Sequence, residues 1–63
     1  MNLETAYYIV KQIDGDYAHL QRVDMGAEEP KLVARALLPA EIEEGYFLKY
    51  ELLQYTIMTK KGK

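Results

Sequence analysis

The acidic residues around the first glycine are the most concentrated set of potential metal ligands in the sequence. Asp14 and Asp16 flank Gly15, Asp24 follows, and residues 28–29 are glutamates. Closely spaced carboxylates are the oxygen ligands that Ca²⁺ and Mg²⁺ prefer. A calcium loop also ends in a bidentate glutamate at its twelfth position, and this stretch has none there. The pattern therefore favours a solvated turn, and we predict no bound metal.

The single histidine, His19, is the other residue that could take part in catalysis or metal binding. The chain has no cysteine and no second histidine to act with it. It also has no glycine-rich phosphate loop, zinc spacing or Ser/His/Asp arrangement. With 63 residues, the chain is expected to have too little concave surface for a substrate pocket. The sequence therefore predicts a protein that is not an enzyme and needs no cofactor.

Six tyrosines are the most unusual feature of a chain of this length. One small core cannot hold them all, so some are expected on the surface with hydrated hydroxyl groups. Exposed aromatic rings stack on nucleic-acid bases or are enriched in protein interfaces, although some are ordinary cross-strand neighbours. The predicted interaction surface consists of Tyr7, Tyr8, Tyr17, His19, Tyr46 and Tyr55.

The charge balance favours a protein partner for this surface. The formal net charge is −2, and the basic residues before the C-terminal lysines are scattered along the chain. Nucleic-acid-binding domains are usually basic on one face. We therefore predict a non-catalytic protein-interaction module, whose partner is another protein or a second copy of the chain. Binding of single-stranded nucleic acid by a small barrel is the alternative.

The elements that would position these residues begin with a hairpin. The β-branched and aromatic stretch 6–13 and the stretch 17–23 are predicted strands, and Asp14-Gly15 between them is typical of a tight turn. If those two residues form the loop, Ile9 and Ile13 share the core face with Ala18 and Leu20. A bulged turn centred on Gly15 would instead place Tyr8 and Val10 opposite Leu20 and Ala18.

The rest of the chain predicts two or three further strands. After a polar connection over 24–30, a third strand covers 31–36. Pro39 and Gly45 bracket either one helical turn or consecutive tight turns. Strand character then covers 46–53 and 54–59, as one long bent strand or as two strands. The predicted core is Ile9, Ile13, Ala18, Leu20, Val33, Leu38, Ile42, Leu48, Tyr50 and Leu52.

These elements predict one small, mostly β domain over residues 1–63. We expect an SH3-like barrel or a rolled antiparallel meander of four to five strands with one short helical turn, and flexible ends at 1–5 and 60–63. Asp14, Gly15, Pro39 and Gly45 are the predicted structural turn residues. The absence of cysteine, of a signal-like start and of a long apolar run predicts a cytoplasmic protein without membrane contact.

The string IDGDYAHLQ, followed by LLP and then EEG, resembles the short bacterial family known as domain of unknown function 3006. The matching residues are Ile13, Asp14, Gly15, Asp16, Tyr17, Ala18, Leu20, Leu38, Pro39, Glu44 and Gly45, within a resemblance over about residues 8–52. Tyr46 stands where the family usually has an acidic residue, and the connection at 24–30 is longer. The resemblance implies a small bacterial β protein with no known catalytic residues.

Overall fold

The structure is a computed structural model, which describes residues 5–24 and 29–59. It contains five strands, β1 Ala6–Asp14, β2 Tyr17–Arg22, β3 Lys31–Ala34, β4 Phe47–Glu51 and β5 Gln54–Thr59, with a 3₁₀ turn at Arg35–Leu37. All pairings are antiparallel, and the strand order is β3-β2-β1-β4-β5. This confirms the predicted antiparallel meander. Nothing in the described part of the chain forms a helix that could cross a bilayer.

The chain ends were predicted to be flexible. Residues 1–4 and 60–63 lie outside the described residues. Thr5, which was included in that prediction, is half-buried, and its hydroxyl donates a hydrogen bond to Glu51 Oε1 at 3.2 Å. This hydrogen bond ties Thr5, the residue before β1, to the end of β4.

The β1–β2 loop is Gly15-Asp16, one residue later than predicted. Asp14 pairs with Tyr17 across the loop, and the positive φ falls on Gly15, at +63°. A positive φ at the first central position alone is the pattern of a type II′ turn, in which that position favours glycine. The predicted Asp14-Gly15 loop is therefore wrong, because Gly15 occupies the first central position of the loop and not the second.

A β-bulge at Lys11 reverses which face of β1 points inward. Val10 pairs with Leu20, whereas Gln12 pairs with His19, so Lys11 is the extra residue. Tyr8 and Val10 are buried before the bulge, and Ile13 packs against the core after it.

The predicted core position of Ile9 is wrong, because this residue precedes the bulge and lies on the outer face. The alternative bulged turn assigned Tyr8 and Val10 to the correct face. It was wrong about their partners, since Tyr8 pairs with Arg22 and Val10 with Leu20.

The segment after β3 folds as consecutive tight turns. The peptide N–H of Ile42 donates to the Pro39 carbonyl at 3.4 Å, and that of Tyr46 donates to Glu43 at 3.1 Å. The helical turn lies earlier, at Arg35–Leu37. It ends at Leu38, which precedes Pro39 and is extended, as the proline ring requires of the residue before it.

Leu52 and Leu53 form the two-residue loop between β4 and β5. Both have positive φ, at 54° and 63°, and Glu51 pairs with Gln54 across them. Residues 54–59 are therefore a separate strand. The predicted core position of Leu52 is wrong, because a loop residue with this backbone points into solvent, and Leu52 is 65% exposed.

The core lies on the concave face of the sheet under the turns that follow Pro39. Its buried residues are Ala6, Tyr8, Val10, Ala18, Leu20, Val33, Leu38, Ile42, Tyr46 and Leu48. Ile13 and Tyr50, also predicted for the core, are partly buried against it. Burial of this apolar surface is the main force that holds so short a chain together.

Candidate functional site

The two edge strands of the sheet face each other across an open cleft. Although β3 and β5 are at opposite ends of the strand order, the sheet curls until Lys31 on β3 reaches the ring of Tyr50 on β4. The cleft between them, here called the seam cleft, has a volume of about 380 Å³. It is lined by Lys31–Ala34 of β3, by Leu37, and by Tyr50, Leu53, Gln54 and Tyr55.

This cleft contradicts the expectation that the chain is too short to form one. Chain length alone predicts too little concave surface. Because the sheet curls, both of its edges contribute walls to the same concave surface.

The backbone of β3 has hydrogen-bonding groups that point into the seam cleft. The N–H of Arg35 donates to the Asp16 carbonyl at 2.8 Å, toward β2. Backbone groups alternate in direction along a strand, so those of Leu32 and Ala34 point away from β2. Within the described residues, no backbone hydrogen bond joins β3 to β5.

The same argument applies to β5. Glu51 and Gln54 close a two-residue hairpin loop and therefore form a hydrogen-bonded pair. Tyr55 and Ile57 then direct their backbone groups away from β4, toward the open edge. Both sides of the seam cleft thus offer backbone donors and acceptors.

Exposed leucine side chains form the rim of the seam cleft. Leu32 is 59% exposed, Leu37 is 69% exposed and Leu53 is 78% exposed. Single exposed apolar residues are normal, but several around one concavity typically mark a binding surface. We call these three residues the leucine rim.

Three tyrosines pack together at one end of the seam cleft and are called the tyrosine cluster. The ring centroids of Tyr8 and Tyr55 are 6.1 Å apart, and those of Tyr50 and Tyr55 are 4.5 Å apart. Lys31 Nζ lies 5.5 Å from the Tyr8 centroid and 5.9 Å from that of Tyr50. These distances are typical of cation–π contacts.

The electrostatics of the tyrosine cluster keep Lys31 charged and Tyr55 neutral. Partial burial alone would lower the pKa of Lys31, but favourable interactions with the Tyr55 and Tyr8 side chains outweigh it and raise that pKa. Burial raises the pKa of Tyr55, against the opposing effect of the Lys31 ammonium. At neutral pH Lys31 is therefore a cation beside an uncharged Tyr55.

The structure divides the predicted interaction surface among three places. Tyr8 and Tyr46 are 7% and 8% exposed and belong to the core, so they are not surface residues as predicted. The reason for Tyr8 is the bulge, which turns even-numbered residues of β1 inward before Lys11. Tyr46 belongs to the buried cluster and is tied to β1 by the Val10 N–H, which donates to the Tyr46 carbonyl at 2.9 Å.

The other predicted residues remain accessible but are not grouped together. Tyr55 lines the seam cleft. Tyr7, Tyr17 and His19 lie on the outer face of the sheet, where Tyr17 is 49% exposed and His19 is half-buried opposite Leu32. Of these three outer-face residues, His19 is the one that pairs with a leucine of the rim, Leu32.

Gly45, one of the predicted turn residues, lies in a loop that bonds to β1. Gly45 has a φ of +95°, and its N–H donates to the Val10 carbonyl at 2.8 Å. The neighbouring Glu44 accepts a 2.9 Å hydrogen bond at Oε2 from the Ile13 N–H. This loop therefore covers the edge of β1 beyond the point where β4 pairs with it.

The acidic residues singled out in the sequence do not converge. Asp14 and Asp16 are exposed, and the hydrogen bond from Arg22 lowers the pKa of Asp24. Glu28 lies outside the described residues. Among the described residues, no three acidic or histidine side chains are placed to hold a metal ion.

Sequence reasoning missed Lys31 and the three residues of the leucine rim. The pairs Leu37-Leu38 and Leu52-Leu53 were the available signal, because each interrupts the alternation of apolar and polar residues expected of a half-buried strand. In both pairs at least one leucine is exposed.

No family model, curated protein or solved structure matches the chain.

Proposed function

We propose that the chain is a non-catalytic protein-interaction module that binds an extended segment of a partner protein in the seam cleft. The observation that carries the proposal is the pair of open strand edges, β3 and β5, facing each other beneath the leucine rim. Open edges accept an added strand through main-chain hydrogen bonds, and adjacent pockets select its side chains.

The β3 edge is the side on which the added strand would pair. Leu32 and Ala34 direct their N–H and C=O groups into the cleft, while Val33 bonds toward β2 and packs into the core. An added strand can therefore bind without breaking an existing backbone hydrogen bond. Its alternate side chains would face the leucine rim and the cleft interior.

A second copy of this chain is one source of such a strand, because every copy carries the same open edges. Sedimentation or light scattering up to high micromolar concentration tests this source. A concentration-dependent dimer that Leu32→Pro abolishes would identify the partner strand as the chain's own. A strict monomer would exclude self-association and leave a different protein as the partner.

The proposal is tested with phage-displayed random heptapeptides selected on the immobilised protein. Leu32→Pro removes the outward N–H, which is tolerated on an edge strand because no ladder bond uses it. The matched control Leu32→Thr removes the same leucine but keeps the N–H and a β-branched side chain. Selected peptides should lose about tenfold or more in affinity with proline, and clearly less with threonine.

Amide NMR shifts locate the bound peptide. The largest changes are expected at Leu32, Ala34 and Tyr55, around the seam cleft. Equal affinity for the proline and threonine variants would refute strand addition. Shifts centred on the outer-face residues Tyr7 and Tyr17 would place binding elsewhere, and failure to select any peptide, together with a strict monomer, would refute the module itself.

A further inference from the structure

The ammonium group of Lys31 is held by aromatic rings and not by a carboxylate. Its Nζ lies 5.5 Å and 5.9 Å from the centroids of Tyr8 and Tyr50. The ion pairs within the described residues are Arg22–Asp24 and Lys49–Glu51, neither of which includes Lys31. The tyrosine cluster is therefore the chief counterpart of this charge in the described structure.

Arg22 is a second cation near the cluster, and unlike Lys31 it is paired with a carboxylate. The Arg22 guanidinium lies 5.9 Å from the Tyr8 ring, but its Nε also donates to Asp24 Oδ1 at 2.5 Å. The ion pair with Asp24 restrains this guanidinium. The lysine has a flexible four-carbon stem and an exposed side chain, so it can leave the rings without breaking an ion pair to any of the described residues.

We propose that the tyrosine cluster is a cation-binding cage, and that Lys31 fills it until a lysine-type ammonium group of the partner segment replaces it. The inference rests on the proposed function, because a strand added at Leu32 and Ala34 would run past the same end of the cleft. Several aromatic faces around one position are the usual arrangement for recognising ammonium groups, including methylated lysine.

The position of Lys31 explains why it competes with a ligand. Lys31 is the first residue of β3, and its ammonium group lies next to the cage. An attached group has a high effective concentration and occupies a weak site most of the time. Shortening this side chain should therefore uncover the cage.

The test uses N-acetyl-trimethyllysine amide as the probe, with the uncharged carbon isostere of its trimethylammonium group as the control. The ring resonances of Tyr8, Tyr50 and Tyr55 are followed by NMR in the wild type and in Lys31→Ala. The alanine variant should bind the charged probe at least about fivefold more tightly than the wild type. The isostere should shift the rings much less in both proteins, because it lacks the charge.

A measurement on the wild type avoids dependence on the folding of the variant. As the charged probe saturates, the Lys31 ε-carbon resonance should move toward the position of a solvated lysine. No ring shift in Lys31→Ala, equal binding of charged and neutral probes, or an unmoved Lys31 resonance at saturation would each overturn the cage. None of these results affects peptide pairing at the Leu32 amide, which the proline and threonine variants report separately.

Discussion

Replacing the Leu52-Leu53 loop should raise the stability of the fold and weaken peptide binding. Both residues have positive φ, a region in which a side chain crowds the following carbonyl at a cost of about 1–2 kcal/mol per residue. Asparagine and glycine tolerate this region, and Asn-Gly is the favoured pair for such a loop. Replacing Leu52-Leu53 with Asn-Gly should therefore stabilise the fold.

The magnitude follows from the exposure of the two leucines. They are 65% and 78% exposed, so their removal sacrifices little apolar burial. The relief of backbone strain is partly offset by the flexibility of glycine in the unfolded chain, about 0.5–1 kcal/mol. The net gain in the free energy of unfolding is about 1–3 kcal/mol, equivalent to a rise in Tm of roughly 8–24 °C for a domain of this size.

Urea and thermal unfolding followed by far-UV circular dichroism measure this gain. The matched control is the double change Leu52→Ala and Leu53→Ala, which removes the leucines but keeps the Cβ atoms that cause the strain. Its free energy of unfolding should stay within about 0.5 kcal/mol of the wild type. If the Asn-Gly variant is no more stable than the double-alanine variant, the strain argument is refuted.

Binding should weaken in both variants, although only the Asn-Gly variant gains stability. Both remove Leu53 from the leucine rim, so peptides selected on the wild type should bind both more weakly. An increase in stability with a loss of binding would show that the leucines serve the surface and not the fold.

Three further results are expected from single substitutions. Gly15→Ala should lower the free energy of unfolding by about 1–2 kcal/mol in urea, because its φ of +63° disfavours any residue with a Cβ. The added Cβ would meet no atom within 4 Å beyond its chain neighbours, so backbone strain is the expected cause and a steric clash is not. Leu20→Ala, at a fully buried site, should cost about 2–5 kcal/mol, while Leu37→Ala on the rim should cost under about 0.5 kcal/mol; equal costs would contradict the assigned core. Burial raises the pKa of Tyr55, so the unfolded chain loses this proton at a lower pH than the folded chain does. The stabilisation that results is fully present below about pH 10 and should be lost as the pH rises through the folded pKa. Ultraviolet titration at alkaline pH should show a late tyrosine that Tyr55→Phe removes, and an unchanged profile in that variant would be evidence against the assignment.

The sequence predicts the strands better than it predicts the β-bulge and the loops that decide which face of each strand is buried. The β-branched and aromatic runs around Gly15 locate β1 and β2 because local side-chain preferences determine them. The bulge at Lys11 has no such local signal. The residue just before it, Val10, bonds to the loop at Gly45 and Tyr46, which is distant in the sequence. Ile9 was therefore assigned to the wrong face.

The Leu52-Leu53 loop was missed for a different reason. Turn prediction relies on residues that adopt positive φ easily, and leucine is not among them. The chain turns there because Glu51 and Gln54 pair and the flanking strands bury Leu48 and Ile57 against the core. Tertiary packing thus overrides the local preference.

The seam cleft could not be predicted because its walls are far apart in the sequence. Lys31 and Tyr50 meet only when the curl of the whole sheet brings its ends together. The surplus of tyrosines indicated a surface use for some rings, but burial decided which ones. Tyr55 lies in the cleft and Tyr46 in the core, and the sequence around them does not distinguish the two.

The bulge at Lys11 divides β1 into two halves that should exchange their amide protons with solvent by different routes. Tyr8 and Ile9 pair with β2 on one side and with β4 on the other, so both neighbours hold this half of the strand. Beyond the bulge, β1 pairs with β2 alone on one side, and the Glu44 carboxylate protects the Ile13 N–H on the other. The hairpin tip can thus open by itself, while the first half of the strand opens only when the domain unfolds.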